Sequence, residues 1–199
     1  MIPQMSKQEV EIIEGALLSY GAHVDVLEWG SGGSTVYFTE FLKKKGISYT
    51  WTSIEYNKIW YERITDIVKD DKGTSVVLFD VGNTDLKQPD VETDEYVTYP
   101  ATLKKQYDLI FIDGRKRRRC VLEAKKLLKQ NGVVFLHDAR RTYYHCVFSE
   151  YADSRILLWT SLWQGKLENP GLIRKVINWM QYWCFRAYTF SFRFRHSSL

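Results

Sequence analysis

Cysteine is scarce in this chain of 199 residues. Cys120, Cys146 and Cys184 are scattered without metal-ligand spacing, and an odd number with no pairing logic suits a reducing compartment rather than a disulfide framework. No apolar run approaches the roughly 20 residues needed to span a bilayer. The opening Met1-Ile2-Pro3-Gln4-Met5-Ser6 lacks the basic-then-apolar order of an export signal, so a cytoplasmic location is expected. There is no internal repeat and no low-complexity tract. Hydrophobic residues make up 45% of the chain, which argues against disorder, and the length suits one domain able to bury a full sheet. Acids are missing from one place: there is none from Gly171 onward.

That last absence belongs to a wider polarity. Residues 1–114 carry 11 Lys/Arg against 19 Asp/Glu, whereas residues 115–199 carry 17 against 5. The C-terminal part is therefore expected to face something anionic, with nucleic acid, an anionic membrane surface and an acidic glycan as the candidate classes.

The most informative stretch is Val26-Leu27-Glu28-Trp29-Gly30-Ser31-Gly32-Gly33-Ser34-Thr35. Apolar residues run into three glycines and an amphipathic helical pattern follows, which predicts a strand, a tight turn and a helix. Thr35 replaces the third glycine of the dinucleotide fingerprint, and no Gly-Lys-Ser/Thr follows, so neither a pyrophosphate site nor a P-loop is indicated. An acid at the strand end, Glu28, would repel a pyrophosphate but suits an ammonium group. The loop reads as one for a cationic nucleoside without phosphates.

Three further segments complete an ordered set. Trp51-Thr52-Ser53-Ile54-Glu55 ends a second strand on an acid, Tyr107-Asp108-Leu109-Ile110-Phe111-Ile112-Asp113-Gly114 ends a fourth, and Asn131-Gly132-Val133-Val134-Phe135-Leu136-His137-Asp138 makes a fifth. Together these four elements, within about residues 20–160, resemble the class I S-adenosylmethionine-dependent methyltransferases, and within that class the small sugar O-methyltransferases similar to glucuronoxylan O-methyltransferases. The resemblance implies an α/β Rossmann-like fold, a mostly parallel seven-stranded sheet with helices on both faces. It implies that Glu28, Gly30, Ser31, Gly32, Ser34 and Thr35 hold the methionine part of S-adenosylmethionine. Glu55 and Tyr56 would hold the ribose, since a carboxylate can accept from two vicinal hydroxyls at once. Asp113 and Gly114 would complete the cofactor site. Asp80 or Asn83, after the third strand, can reach the adenine amine or simply shape a turn.

Transfer to a hydroxyl requires removal of its proton, so a positioned carboxylate or imidazole is needed. Asp113 at the carboxyl edge of the sheet and His137, with an ordinary pKa near 6.5, are the candidate bases, and Asp138 adjoins them. A metal on Asp113 and Asp138 is not expected: catechol-type O-methyltransferases place an Asn after the second Asp, where this chain has Ala139. The run Arg115-Lys116-Arg117-Arg118-Arg119 follows Asp113 directly and opposes the dipole of the helix it would begin, so something anionic should offset it. Arg115, Arg118 and Arg140 are the expected acceptor-binding cations.

Hydropathy patterning predicts helices from Ser6 to near Gly21, Ser34 to Lys45, Asn57 to about Asp70 and Arg118 to Leu128. Strands are expected at about 24–29, 49–54, 74–81, 107–112, 132–137 and 155–160. Residues 82–106 read as a long surface insertion. Gly171–Val176 takes the place of the family's seventh strand, although Ile173, Val176, Ile177 and Met180 also have helical spacing. The catalytic domain is set at residues 1–176, followed by a basic aromatic extension over 177–199 that ends extended or helical. Its rings and arginines suit an anionic membrane surface, the sheet or a homodimer partner, or stacked RNA bases. The expected activity is O-methylation of an anionic saccharide, lipid-linked glycan or small molecule. A small-metabolite or nucleic-acid methyltransferase, or a non-catalytic cofactor-binding subunit, is the alternative; no Asn-Pro-Pro-Tyr supports nucleic acid.

Overall fold

The computed structural model describes residues 1–79 and 93–195, and all their side chains except those of 93–94 and 185–195. The expected adenine contacts Asp80 and Asn83 lie outside the described residues. In chain order the elements are α1 (Lys7–Leu18), β1 (His23–Trp29), α2 (Gly33–Lys44), β2 (Ser48–Glu55), α3 (Lys58–Val68), β3 (Thr74–Leu78), α4 (Thr93–Thr102), β4 (Tyr107–Ile112), α5 (Arg117–Leu127) and β5 (Leu128–Leu136). A 3₁₀ stretch (Thr142–Glu150), β6 (Asp153–Ile156), β7 (Trp163–Lys166) and α6 (Gly171–Arg195) follow. One seven-stranded sheet has the order β3-β2-β1-β4-β5-β7-β6. The first five strands of that order are parallel, and β7 runs antiparallel to both of its neighbours.

The central strands are apolar on both faces because both faces are covered. On β4, Leu109 and Phe111 join Val24, Val26, Val133 and Phe135 under α1 and α2. Ile110 and Ile112 join Leu27, Trp29, Val134 and Leu136 under α5. A one-residue slip would exchange the two sets, so register is fixed by the alternation itself. Ser6 caps α1 in a capping box with Glu9, as its sequence indicated.

Several expectations needed correction. Part of the supposed surface insertion at 82–106 is helix α4, whose Tyr96 and Val97 are buried in the core. Turn signals and acids such as Asp94 and Glu95 suggest a loop, and the helix also holds Pro100, which lacks the N–H that would bond the Tyr96 carbonyl one turn back. The indole of Trp29 supplies the missing donor at 3.0 Å. Strand seven is Trp163–Lys166, and the segment 171–176 opens α6, so the helical spacing was the correct one of its two readings. α6 then continues to Arg195 without a break at 176/177, so the end of the chain is not extended there. β3 is Thr74–Leu78, and the last two residues of the expected strand, Asp80 and Val81, lie outside the described residues.

Candidate active site

The site lies at the carboxyl ends of β1, β2 and β4, where strand order reverses between β1 and β4 and an open α/β sheet leaves a crevice. A cleft of about 340 Å³ there is lined by Gly30, Ser31, Gly32 and Ser34 after β1, by Glu55 and Tyr56 after β2, and by Asp113 and Gly114 after β4. Sequence reasoning had singled out all eight. It missed the N-terminal residues Ile2 and Pro3 along one wall, and Trp60 with Arg63, whose guanidinium lies over the Trp60 ring. No motif marks these; only their place in the fold does.

Gly30 has φ +101°, and a Cβ there would lie 2.6 Å from the Gly114 nitrogen. A Cβ on Gly114 would in turn run into the Tyr96 hydroxyl and the backbone of Gly30. The two strand ends thus touch through bare backbone, which keeps the floor of the cleft open.

Glu28 is not in the cleft. It is fully buried behind the loop, accepting hydrogen bonds from Ser34 Oγ, Thr35 Oγ1 (2.6 Å), Ser53 Oγ (2.6 Å) and the Trp51 indole (2.9 Å). Thr35, also buried, accepts from the Gly32 N–H at 3.0 Å, so the acid pins the glycine turn through one hydroxyl. Burial pushes its pKa up despite these donors. The expected charge facing an ammonium group is therefore a buried fastening for the loop.

Glu55 does reach the cleft. One oxygen accepts from the Ser31 N–H (2.7 Å) and hydroxyl (2.9 Å), the other from the Tyr56 and Asn57 N–H groups (2.9 and 2.8 Å). Burial raises its pKa too, against those donors. All four acceptor places of the carboxylate are taken.

Asp113 stands between two partners. His137 Nδ1 lies 3.1 Å from its Oδ1, and Arg117 Nη2 lies 2.9 Å from the same oxygen. The other imidazole nitrogen lies 3.9 Å from Glu9, so His137 is set behind Asp113 rather than in the cleft. Burial alone would lower the His137 pKa; Asp113, Asp138 and Glu9 outweigh it and raise it.

Arg117, which the sequence did not distinguish within its basic run, turns inward. It donates to the carbonyls of Gly114 (3.0 Å), Asp113 (2.8 Å) and His137 (2.8 Å) and bridges Asp113 to Asp138 (3.2 Å). Part of the charge expected to await an external anion is thus answered internally. Donor atoms of Asp113, His137 and Asp138 lie within 4.8 Å of one another, a spacing a metal could use. The guanidinium already bridges the two carboxylates, and a divalent ion would have to displace it.

A second cleft, about 370 Å³, adjoins the first at Gly114 and is lined by Arg115, Arg118, Arg141, Tyr143 and Tyr144 among others. Arg118 lies over the Tyr143 ring, and Arg115 over that of Tyr56. Arg140 does not join them. Its Nε donates to the Thr160 carbonyl at 3.0 Å, beside an apolar cleft formed with Trp159 and Cys184.

A family model described as a methyltransferase domain matches residues 27–139, more than half of the chain and the whole span from the glycine loop to Ala139. The chain belongs to this family. Solved structures agree in fold. A methyltransferase-like protein from Silicibacter pomeroyi shares 24% identity over 90% of this chain and 96% of its own, with a TM-score of 0.60. A precorrin-8w decarboxylase from Methanobacterium thermoautotrophicum shares 11% (82% and 92% covered, TM-score 0.54). A precorrin-6y C5,15-methyltransferase from Geobacter metallireducens shares 13% (84% and 94%, TM-score 0.52). No curated protein matches the chain in sequence. This is a methyltransferase of the S-adenosylmethionine-dependent class, and its cleft has a bare-backbone floor at Gly30 and Gly114 and a carboxylate, Glu55, at the β2 end.

Proposed function

We propose that this methyltransferase acts on a hydroxyl oxygen of an anionic acceptor, with a saccharide or lipid-linked glycan as the acceptor class. One observation carries the reading. Gly114 lines both the donor cleft and the basic cleft, and Asp113, which precedes it, lines the donor cleft. A methyl donor in one cleft and an anion held in the other would meet beside that carboxylate.

When bound, S-adenosylmethionine supplies an electrophilic methyl group on a sulfonium and leaves as a thioether. Glu55 would hold the ribose hydroxyls, and the Ser31 donors would have to give way to them because the carboxylate has no spare acceptor place. Arg115, Arg118 and Arg141 hold the acceptor's negative group. Asp113 accepts the hydroxyl proton as the oxygen takes the methyl group, and His137, Arg117 and Asp138 keep that carboxylate in place. The test is transfer of labelled methyl to a panel of acidic and neutral glycans, with product mass spectrometry. Methylation of acidic members, with a raised KM and unchanged donor affinity in Arg118→Ala, supports the reading. Equal activity on neutral glycans, or none on any hydroxyl acceptor while the donor binds, overturns it.

A further inference from the structure

Helix α6 lies on the sheet by one side only. Asn178 is buried and donates to the buried Asp153 of β6 at 2.6 Å, and the Tyr182 ring meets His145. On the side away from these contacts stand Leu172, Ile173, Val176, Trp179, Met180 and Trp183. Leu172 and Ile173 are 78% and 79% exposed, and Trp179 63%. At about 100° per residue these six fall within an arc of roughly 120°. Soluble surfaces rarely leave so long an apolar stripe bare. The β6–β7 turn extends it: Trp159, at φ +64°, is 81% exposed, and with Leu158 it forms an apolar cleft shared with Cys184 of α6.

Charge decides what covers the stripe. Lys175 flanks it, Arg140 lines the adjoining cleft, and the sequence from Gly171 to Leu199 adds Arg186, Arg193 and Arg195 without a single acid; Arg174, on the packed side, faces the buried Asp153 at 3.8 Å instead. In a two-fold dimer this face would meet itself, setting cation against cation with no acid of the segment to answer. Trp179 and Trp183 offer bases a face to stack on, but the aliphatic Leu172, Ile173, Val176 and Met180, the larger share of the stripe, offer none. A bilayer with anionic headgroups answers both features, apolar boundary for the stripe and phosphate for the flanks. No helix among the described residues is long and apolar enough to cross a membrane, which leaves contact in the plane of the surface.

We propose that α6 and the Trp159 turn dock the protein on an anionic lipid surface. This does not rest on the acceptor reading, although a docked enzyme would reach acceptors carried on lipid. The experiment is flotation of the full chain with vesicles of phosphatidylcholine and phosphatidylglycerol, or of phosphatidylcholine alone, at low and high salt. Co-flotation with the anionic vesicles, weakened by salt, is expected. Lys175→Ala should lower partitioning about fivefold, and Ile173→Glu with Trp179→Glu by roughly tenfold or more. The Lys175, Ile173 and Trp179 side chains are at the surface, so melting temperature and donor binding should hold. Brominated lipid should quench tryptophan fluorescence of the unaltered protein. No flotation at low salt, no quenching, or undiminished binding by the double variant overturns the proposal. So does a dimer in sedimentation velocity that the double variant dissociates, which would make the face a self-association surface.

Discussion

The indole of Trp29 and the carbonyl of Tyr96 are joined by a hydrogen bond of 3.0 Å that ties the end of β1 to a helix whose own proline leaves that carbonyl without an intrahelical donor. Trp29→Phe strands a buried acceptor and should cost about 1–3 kcal/mol. In a Pro100→Ala background, which restores the helical N–H, the same change should cost less. Urea melts of the four proteins of this cycle measure the difference, and equal costs in both backgrounds would separate the proline from the indole.

Glu28 is expected to act on the loop, not on the ligand. Glu28→Ala strands four donors and should lower stability by several kcal/mol, on the scale of about 1–3 kcal/mol for each group left unpaired. Glu28→Gln should cost less, because the Ser34 and Ser53 hydroxyls can turn to donate or accept. Donor affinity should follow the melting temperature across these variants. A variant that melts normally but no longer binds donor would place the acid's effect in the cleft instead.

Stability should depend on pH through the Glu9–His137–Asp113 cluster. The folded-state pKa of His137 is raised above its ordinary value of 6.5, so its contribution is full below that value and is lost as pH rises through the folded pKa. Glu9 runs the other way. Burial would raise its pKa, but the Ser161 and Ser6 N–H groups, the Ser6 hydroxyl and His137 outweigh that and lower it, so its contribution is present above 4.5 and is lost as pH falls through the folded pKa. Melting temperature against pH should therefore be highest between these limits, and His137→Gln should flatten the alkaline side.

Arg117 and Arg118 are neighbours with different expected roles. Arg117→Ala removes the bridge between Asp113 and Asp138 and the donor to three carbonyls, and should cost about 1–3 kcal/mol of stability together with most turnover. Arg118→Ala should leave the melting curve unchanged and raise KM alone. Chelation with EDTA should leave the rate intact, because the guanidinium stands between the carboxylates. Loss of activity on chelation, restored by magnesium, would mean that a metal displaces it.

How far the fold was legible follows from the same residues. The parallel strands could be read because each is buried on both faces, so Leu109 to Ile112 is an unbroken apolar run ending in an acid, and Val24 to Trp29 is largely apolar and ends in glycine. The cleft could be read because Gly30, Glu55, Asp113 and Gly114 close those runs. Helix α4 could not, since its segment is rich in acids and turn signals and the donor that answers its Tyr96 carbonyl comes from the distant Trp29. The inward turn of Arg117 was also hidden, because three of its acceptors are backbone carbonyls, which any sequence offers. Glu28 was placed correctly on the chain, but its role depends on Trp51 and Ser53 from the neighbouring strand.

The central claim is that the cleft under Gly30 and Gly114 binds the methyl donor through Glu55. Titration calorimetry with S-adenosylhomocysteine, on the full chain and on Glu55→Gln, tests it most directly. One-to-one binding is expected for the unaltered protein, with affinity lowered at least about tenfold in a Glu55→Gln variant that melts normally, the loss of one or two charge-assisted hydrogen bonds. Absence of binding by the folded protein, or equal affinity in the two proteins, would contradict it.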